Sequence, residues 1–96
     1  MHSLKQILLF AVAGSRGGPT RARLINILKK KPLNLHKLAK EAELDYKTVQ
    51  HHLNVLEKNH LVSVINKGSY GAVYTLSEEL EQNYKIFEEI WATNLD

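Results

Sequence analysis

The chain has 96 residues, a length that suits one domain with one hydrophobic core. It has no cysteine, which excludes disulfides and thiolate metal sites and makes association with a second chain the expected supplement to a small core. The net charge of +3 conceals an asymmetry, because residues 1–76 carry twelve Lys and Arg against four acids, and residues 77–96 carry one Lys against six. A localised basic surface favours a polyanionic partner, although a solvated lysine-rich surface remains an alternative on charge alone.

The first predicted element is an amphipathic helix over residues 3–13. Its end, Ala11-Val12-Ala13, resembles a signal-peptidase site, but the arginines that follow disfavour export, and the apolar run is too short to cross a bilayer. We therefore expect a cytoplasmic protein.

A second helix is predicted from Pro19 to the lysines at 29–31, since Pro is favoured in a first helical turn and Pro32 stops the pattern. Residues 33–35 are read as a strand stub, and a third helix ends near Ala42.

Asp45 is placed to cap a fourth helix over residues 46–58. The short connection between the third and fourth helices makes them a helix-turn-helix pair. Spacings of three and four place a polar stripe on one face of the fourth helix. That stripe consists of Lys47, Gln50, His51, Asn54 and Lys58.

Residues 61–66 and 72–76 are β-prone, and the segment 66–71 between them predicts the turn of a hairpin. Ser77 then caps a last helix that opens with acidic residues and carries a wide apolar stripe.

The order of these elements predicts a winged helix-turn-helix domain, mainly α-helical with a small β-hairpin (α+β). We expect a single domain over residues 1–96, with an N-terminal helix over 1–14, a winged-helix core over 19–76 and a C-terminal helix over 77–95.

In this arrangement the fourth helix lies in the major groove and the turn of the hairpin, the wing, contacts the adjacent backbone or minor groove. The predicted recognition-helix contacts are Tyr46, Lys47, Thr48, Gln50, His51 and Asn54. The predicted wing and backbone contacts are Lys67, Ser69, Tyr70, Arg16 and Arg21, with Arg23 as a further arginine.

Three segments of the chain resemble the core of ArsR-like winged-helix transcriptional regulators; they are Leu38 to Ala42, Leu44 to Leu56, and Leu61-Val62. Three others are closer still to a group of small archaeal winged-helix DNA-binding proteins; they are Ser15 to Arg21, Asp45 to Val49, and Tyr70 to Tyr74.

The resemblance implies binding to double-stranded DNA and dimerisation through the first and last helices. It matches the DNA-reading positions to Tyr46, Lys47, Gln50 and His51. The cysteines of the family's metal sensors are absent and the last helix has no histidine, so metal sensing is not implied. His51 and His52 are adjacent on one helix, so their side chains point in different directions and do not readily share a metal ion. We expect His52 to pack beneath the helix. We predict no metal and no other cofactor.

The apolar stripes of the two terminal helices are wider than one small domain is expected to bury, which favours a homodimer. The predicted interface residues are Leu4, Ile7, Leu8, Tyr84, Phe87, Ile90 and Trp91. Alternatively, the last helix closes the core over the hairpin and needs no partner.

No phosphate-binding glycine loop and no catalytic constellation is evident, so an enzyme is not expected. The competing hypothesis is a winged-helix module that docks onto another protein. The polar, cationic face of the fourth helix favours DNA, because a protein-docking helix is more often apolar.

Overall fold

The structure, a computed structural model, describes residues 2–93. Its elements in chain order are helix α1 (Leu4–Leu8), a π-helix (Leu9–Ala13), helices α2 (Gly18–Lys30), α3 (Leu35–Ala42) and α4 (Tyr46–Lys58), strands β1 (Val62–Ile65) and β2 (Val73–Leu76), and helices α5 (Glu78–Gln82) and α6 (Tyr84–Thr93). The predicted fold class, a winged helix-turn-helix with one β-hairpin, is confirmed.

The N-terminal helix changes its hydrogen-bond pattern halfway along. Ser3 and Gln6 cap the start of α1 reciprocally, so the helix begins where the sequence predicts. The second half is a π-helix rather than the predicted continuation of an α-helix, and the Gly14 N–H donates to the Leu9 carbonyl at 2.8 Å. The carbonyl of Ala11, in the last turn of this helix, accepts from a side chain of α2 that is described with the site.

The turn between the π-helix and α2 depends on two glycines. Gly17 is the N-cap of α2 and Gly18 its first residue, so Pro19 stands second in the helix and not first as predicted. A Cβ on Gly18 would lie 1.9 Å from the carbonyl oxygen of Val12. The backbone of the turn therefore packs directly on the π-helix, at a distance that only glycine allows.

Helix α2 is the central element of the core and packs on the π-helix, α3, α4 and β2. Leu24 and Ile25 are fully buried on it, in the same core cluster as Leu53 of α4 and Leu38 of α3. Each such side chain contributes about 1.5–3 kcal/mol through burial. This packing holds the helix-turn-helix pair against the rest of the domain.

The connections around the helix-turn-helix pair refine the predicted boundaries. Leu33 makes a single bridge to Tyr74 of β2, so the predicted stub does pair with the hairpin. Leu35 belongs to α3 instead, because the Asn34 side chain accepts from the Lys37 N–H and caps the helix there. Asp45 occupies the predicted cap position of α4 but makes no side-chain hydrogen bond.

The hairpin pairs β1 and β2 in antiparallel register, with Val62 opposite Leu76 and Ile65 opposite Val73. Both strands are one or two residues shorter than predicted, since the residues that flank the turn leave the ladder.

The C-terminal region is two helices, not the single predicted helix over 77–95, of which residues 94–95 lie outside the described part. Ser77 caps α5 as predicted, its hydroxyl accepting from the Leu80 N–H. Asn83 then breaks the helix, with φ −121° and ψ 31°, and its side-chain amide donates to the Glu79 carbonyl at 2.9 Å. The break redirects α6 onto α1 and the π-helix, so the two ends of the chain pack together.

The contact of Gly18 with the π-helix generates a stability prediction. Gly18→Ala should lower the free energy of unfolding by about 2 kcal/mol or more, because the obstacle is backbone and cannot rotate away. Urea denaturation followed by circular dichroism measures the change. Gly71→Ala is the matched control, since a Cβ there meets nothing within 4 Å. Equal losses for the two variants would contradict the assigned packing.

Candidate nucleic-acid interface

Helix α4 has one buried face and one exposed polar face. Val49, Leu53 and Leu56 are fully buried in the core. The predicted stripe lies opposite them, with Lys47, His51, Asn54 and Lys58 exposed and Gln50 half-buried. At the start of the helix Tyr46 is 53% exposed and Thr48 is half-buried. The structure therefore brings the predicted recognition residues together on one accessible surface.

The wing owes its shape to two residues with positive φ. Asn66 has φ 60° and Gly68 has φ 84°, both in the left-handed region that Asn and Gly tolerate. The Ser69 hydroxyl donates to the Asn66 carbonyl at 2.8 Å and accepts from the Gly71 N–H at 3.2 Å. Ser69 thus stabilises the turn, and the fully exposed Tyr70 stands at its tip.

An ion pair joins the wing to α4. The Lys67 ammonium donates to the Glu57 carboxylate at 2.6 Å. This hydrogen bond, followed by the charge of Glu57, raises the pKa of Lys67. Because the pair is exposed, it positions the wing more than it stabilises the fold. Lys67, which the sequence predicts as a contact to a DNA phosphate or the minor groove, is therefore already paired within the protein.

A cleft of about 720 Å³ separates the wing from the helix-turn-helix pair. Tyr46 and Gln50 of α4 line one side, and Ser69 and Tyr70 of the wing line the other. Its floor includes His36 at the start of α3, a residue that sequence reasoning does not assign to the site. Only the packing of α3 beside the wing makes His36 part of this surface, so no sequence motif marks it.

The three arginines near the N-terminus have different environments. Arg16 and Arg23 are exposed and available to a ligand. Arg21, which the sequence predicts as a DNA-backbone contact, is only 5% exposed. Its Nε donates to the Ala11 carbonyl at 2.8 Å, one terminal nitrogen to Ser15 Oγ, and the other to His52 Nδ1 at 3.1 Å. The structure thus corrects its role, since the guanidinium is used inside the protein.

His52 is buried beneath α4, as predicted, and its ring contacts that of His51 edge-on, with centroids 5.1 Å apart. Burial lowers the pKa of His52, and the charges of Arg21 and then His51 lower it further. Desolvation likewise lowers the pKa of Arg21.

The apolar residues predicted for a dimer interface are mostly inside the single chain. Leu4, Leu8, Phe87 and Ile90 are buried in its core, and Ile7, Tyr84 and Trp91 are half-buried against that core. The Tyr84 hydroxyl donates to Asn26 Oδ1 at 2.6 Å and its ring lies beneath the Lys29 ammonium. Burial raises the pKa of Tyr84 to about 12.

Two apolar side chains of the N-terminal helix do face outward, although neither was predicted at the interface. Leu9 is 41% exposed and Phe10 is 60% exposed. Both belong to the π-helix, whose Ala11 and Val12 are buried instead.

Over residues 2–93, no helix is both long and apolar enough to cross a membrane. In the same part of the chain, no three His, Asp or Glu side chains form a group that could hold a metal ion.

Comparison with known proteins agrees with this geometry. The family model described as bacterial regulatory protein, arsR family, matches residues 18–64, which span α2 to β1. The chain is 25% identical over 75 residues to the uncharacterized HTH-type transcriptional regulator MJ1325 of Methanocaldococcus jannaschii, a match that covers 77% of this chain and 84% of the relative.

Two solved structures share the fold. The transcriptional regulator HlyU of Vibrio vulnificus superposes with a TM-score of 0.68 at 24% identity, covering 90% of this chain and 85% of that one. The homodimeric winged helix-turn-helix DNA-binding domain Mb0332 of Mycobacterium bovis, a possible ArsR-family regulator, gives a TM-score of 0.72 at 16% identity, covering 95% and 81%.

The fold, the exposed polar face of α4 and the family match define a winged helix-turn-helix protein of the DNA-binding transcriptional regulator class. Within that class, the chain is similar to the ArsR-like regulators, because the family match coincides with its helix-turn-helix core.

The buried guanidinium generates the second prediction. Arg21→Met removes all three hydrogen bonds and leaves the Ala11 carbonyl and His52 Nδ1 buried without a donor. We expect the free energy of unfolding to fall by about 2–4 kcal/mol. Urea denaturation measures it. Arg23→Met, which removes an exposed arginine from the same helix, should change stability by less than about 0.5 kcal/mol. Similar losses in both variants would show that the buried bonds are not responsible.

Proposed function

We propose that the protein binds specific sequences in double-stranded DNA, with α4 in the major groove and the wing on the adjacent backbone or minor groove. One observation carries this proposal, namely the exposed polar face of α4 opposite a fully buried apolar face. A protruding helix of this kind fits the width of the major groove. Since the proposed ligand is chromosomal DNA, we also propose that the protein acts in the cytoplasm.

The recognition residues divide by their chemistry. Lys47 suits guanine O6 and N7, while Asn54 and the half-buried Gln50 offer paired donor and acceptor atoms to adenine. The exposed ring of His51 can donate or accept a hydrogen bond. Tyr46 and Thr48, at the helix start, are placed for a phosphate.

The cleft between α4 and the wing suits the DNA strand that separates the two grooves. Tyr70 reaches that strand from the wing, and His36 meets it from α3. Arg16 and Arg23 supply exposed positive charge, so affinity should fall steeply with salt. Arg21 takes no part in this contact surface because it is buried.

We further propose that two copies associate through the outward face of the N-terminal helix. Its exposed Leu9 and Phe10 support this, since the remaining apolar side chains of that helix are buried or half-buried within the chain. A structure with the same fold is described as homodimeric. A two-fold pair would present recognition helices to half-sites about 34 Å apart.

The binding proposal predicts the behaviour of a triple variant, Lys47→Ala/Gln50→Ala/His51→Ala. It should lose at least about tenfold in affinity for a selected operator, because each good base contact is worth roughly 1–3 kcal/mol. Fluorescence anisotropy of a labelled duplex at several salt concentrations measures this. Lys85→Ala, which removes a positive charge from α6, is the control and should bind as the wild type does. A triple variant that binds normally would favour the protein-docking hypothesis.

The dimer proposal predicts the effect of Phe10→Gln, which should yield monomers at micromolar concentration while the fold is retained, since Phe10 is 60% exposed. Sedimentation velocity measures the assembly state. Tyr70→Gln, at a still more exposed aromatic on the wing, should leave the assembly state unchanged. Wild-type protein that is monomeric at about 100 µM, where most specific interfaces are occupied, would contradict the proposal.

A further inference from the structure

One feature of the site is unexplained by DNA contact. The segment Ser15 to Arg21 is glycine-rich and basic, yet of its two arginines only Arg16 is exposed, and Arg21 is buried. A Cβ on Gly17 would lie 2.5 Å from the Arg21 guanidinium and 2.8 Å from His52 Cε1. The missing side chain thus lets the turn lie directly on the Arg21–His52 pair. The segment is built around that contact.

The contact joins three parts of the molecule through one guanidinium. Arg21 stands on α2 and bonds the Ala11 carbonyl in the π-helix, the Ser15 hydroxyl in the turn, and His52 on α4. It therefore links the segment that carries Phe10 to the helix that carries the DNA-reading side chains. We call this set of three hydrogen bonds the Arg21 latch.

The hydrogen bond between Arg21 and His52 requires a neutral His52 ring. A guanidinium carries only donors, so His52 Nδ1 must accept, and the proton of the neutral ring resides on Nε2. A second proton would occupy Nδ1, remove the acceptor and set two positive charges 3.1 Å apart. Protonation of His52 is thus incompatible with the latch as it stands.

We propose that the Arg21 latch positions the recognition helix against the N-terminal segment only while His52 is neutral, and that protonation of His52 releases it and weakens specific DNA binding. Arg21 and His52 are positioning residues in this scheme, since neither is exposed to DNA. The inference rests on the proposed DNA-binding function and names a proton as a regulator of the same site.

The groups around His52 also favour the neutral form of its ring. Arg21 faces the ring from α2, His51 contacts it from α4 itself, and the turn meets it with Gly17. The pKa of His52 is lowered by burial, then by the charge of Arg21, then by that of His51. Within the described chain, no ionisable group of α3 or β1 adds to these causes. A histidine whose pKa falls on folding stabilises the fold above its ordinary value of 6.5, and this stabilisation is lost as the pH falls towards the folded value.

A consequence for DNA follows from where the latch lies. His51 comes next to His52 and is exposed on the reading face, so a shift of α4 moves the base contacts directly. In a dimer held through Phe10, the same shift changes the separation of the two recognition helices, which must match the half-site spacing.

The first test uses the wild-type protein and nitrogen-15 NMR of its histidine rings between about pH 8 and pH 5.5. The expected result is an unprotonated Nδ1 on a His52 ring that stays neutral below the ordinary histidine pKa of 6.5. A His52 ring that takes up its proton at or above that value, or that carries its neutral proton on Nδ1, would overturn the latch without reference to DNA.

The second test measures operator affinity over the same pH range for the wild type and His52→Asn. The Asn carboxamide oxygen supplies an acceptor near the position of Nδ1 but takes up no proton. The pH range is extended downwards in both tests until the His52 ring takes up its proton. The ratio of wild-type Kd to variant Kd should stay constant while His52 is neutral and then rise, by up to about tenfold per pH unit, once the ring is protonated. Since the other histidines are common to both proteins, their titration cancels in this ratio.

The outcomes are distinguishable. Parallel pH profiles, with both proteins binding DNA, would overturn the inference and leave the proposed function intact. No specific binding by either protein at any pH would overturn the proposed function and this inference with it. Arg21→Lys gives an independent check, since one ammonium cannot make the three hydrogen bonds. This variant should bind the operator weakly at pH 7.5. The ratio of its Kd to that of His52→Asn should not change with pH, because it has no latch to release.

Discussion

The buried guanidinium of Arg21 is the interaction on which the arrangement of this domain depends. It satisfies the Ala11 carbonyl, the Ser15 hydroxyl and His52 Nδ1 at once, so a single side chain joins the N-terminal segment, the glycine turn and the recognition helix. A buried charge is tolerated only when its donors are paired, and here each nitrogen of the fork has an acceptor. Among the described residues, no buried side-chain nitrogen or oxygen lacks a partner.

The surface proposed to meet DNA follows from the packing that this interaction completes. Helix α4 is held on one side by the core, which leaves its polar stripe as the only face open to a ligand. The Lys67–Glu57 pair sets the wing beside that stripe, and the cleft between them takes in His36 from α3. Recognition helix, wing and helix-turn-helix partner therefore form one continuous surface, as expected of a chain similar to the ArsR-like regulators.

Local patterns predicted most of the elements because their causes are local. The span of α4 follows from helical spacing, and the cap at Ser77 from a hydroxyl beside an acidic first turn. The departures are of two kinds. Asn83 divides the C-terminal helix by bonding its side chain to the backbone, which competes with a helical pattern that continues past it. The second half of the N-terminal helix becomes a π-helix, which the spacing of the apolar residues does not distinguish from an α-helix.

By itself, the sequence determined the fold class, the order of the elements and the polar stripe of α4, since periodicity, caps and turn residues act between near neighbours. Only the tertiary structure decided which charged and apolar side chains remain available. Arg21 and Arg23 stand two residues apart on the same helix, yet one is buried and the other exposed. Leu8 and Phe10 likewise differ, because burial depends on which face meets another element, and that is a property of distant segments brought together.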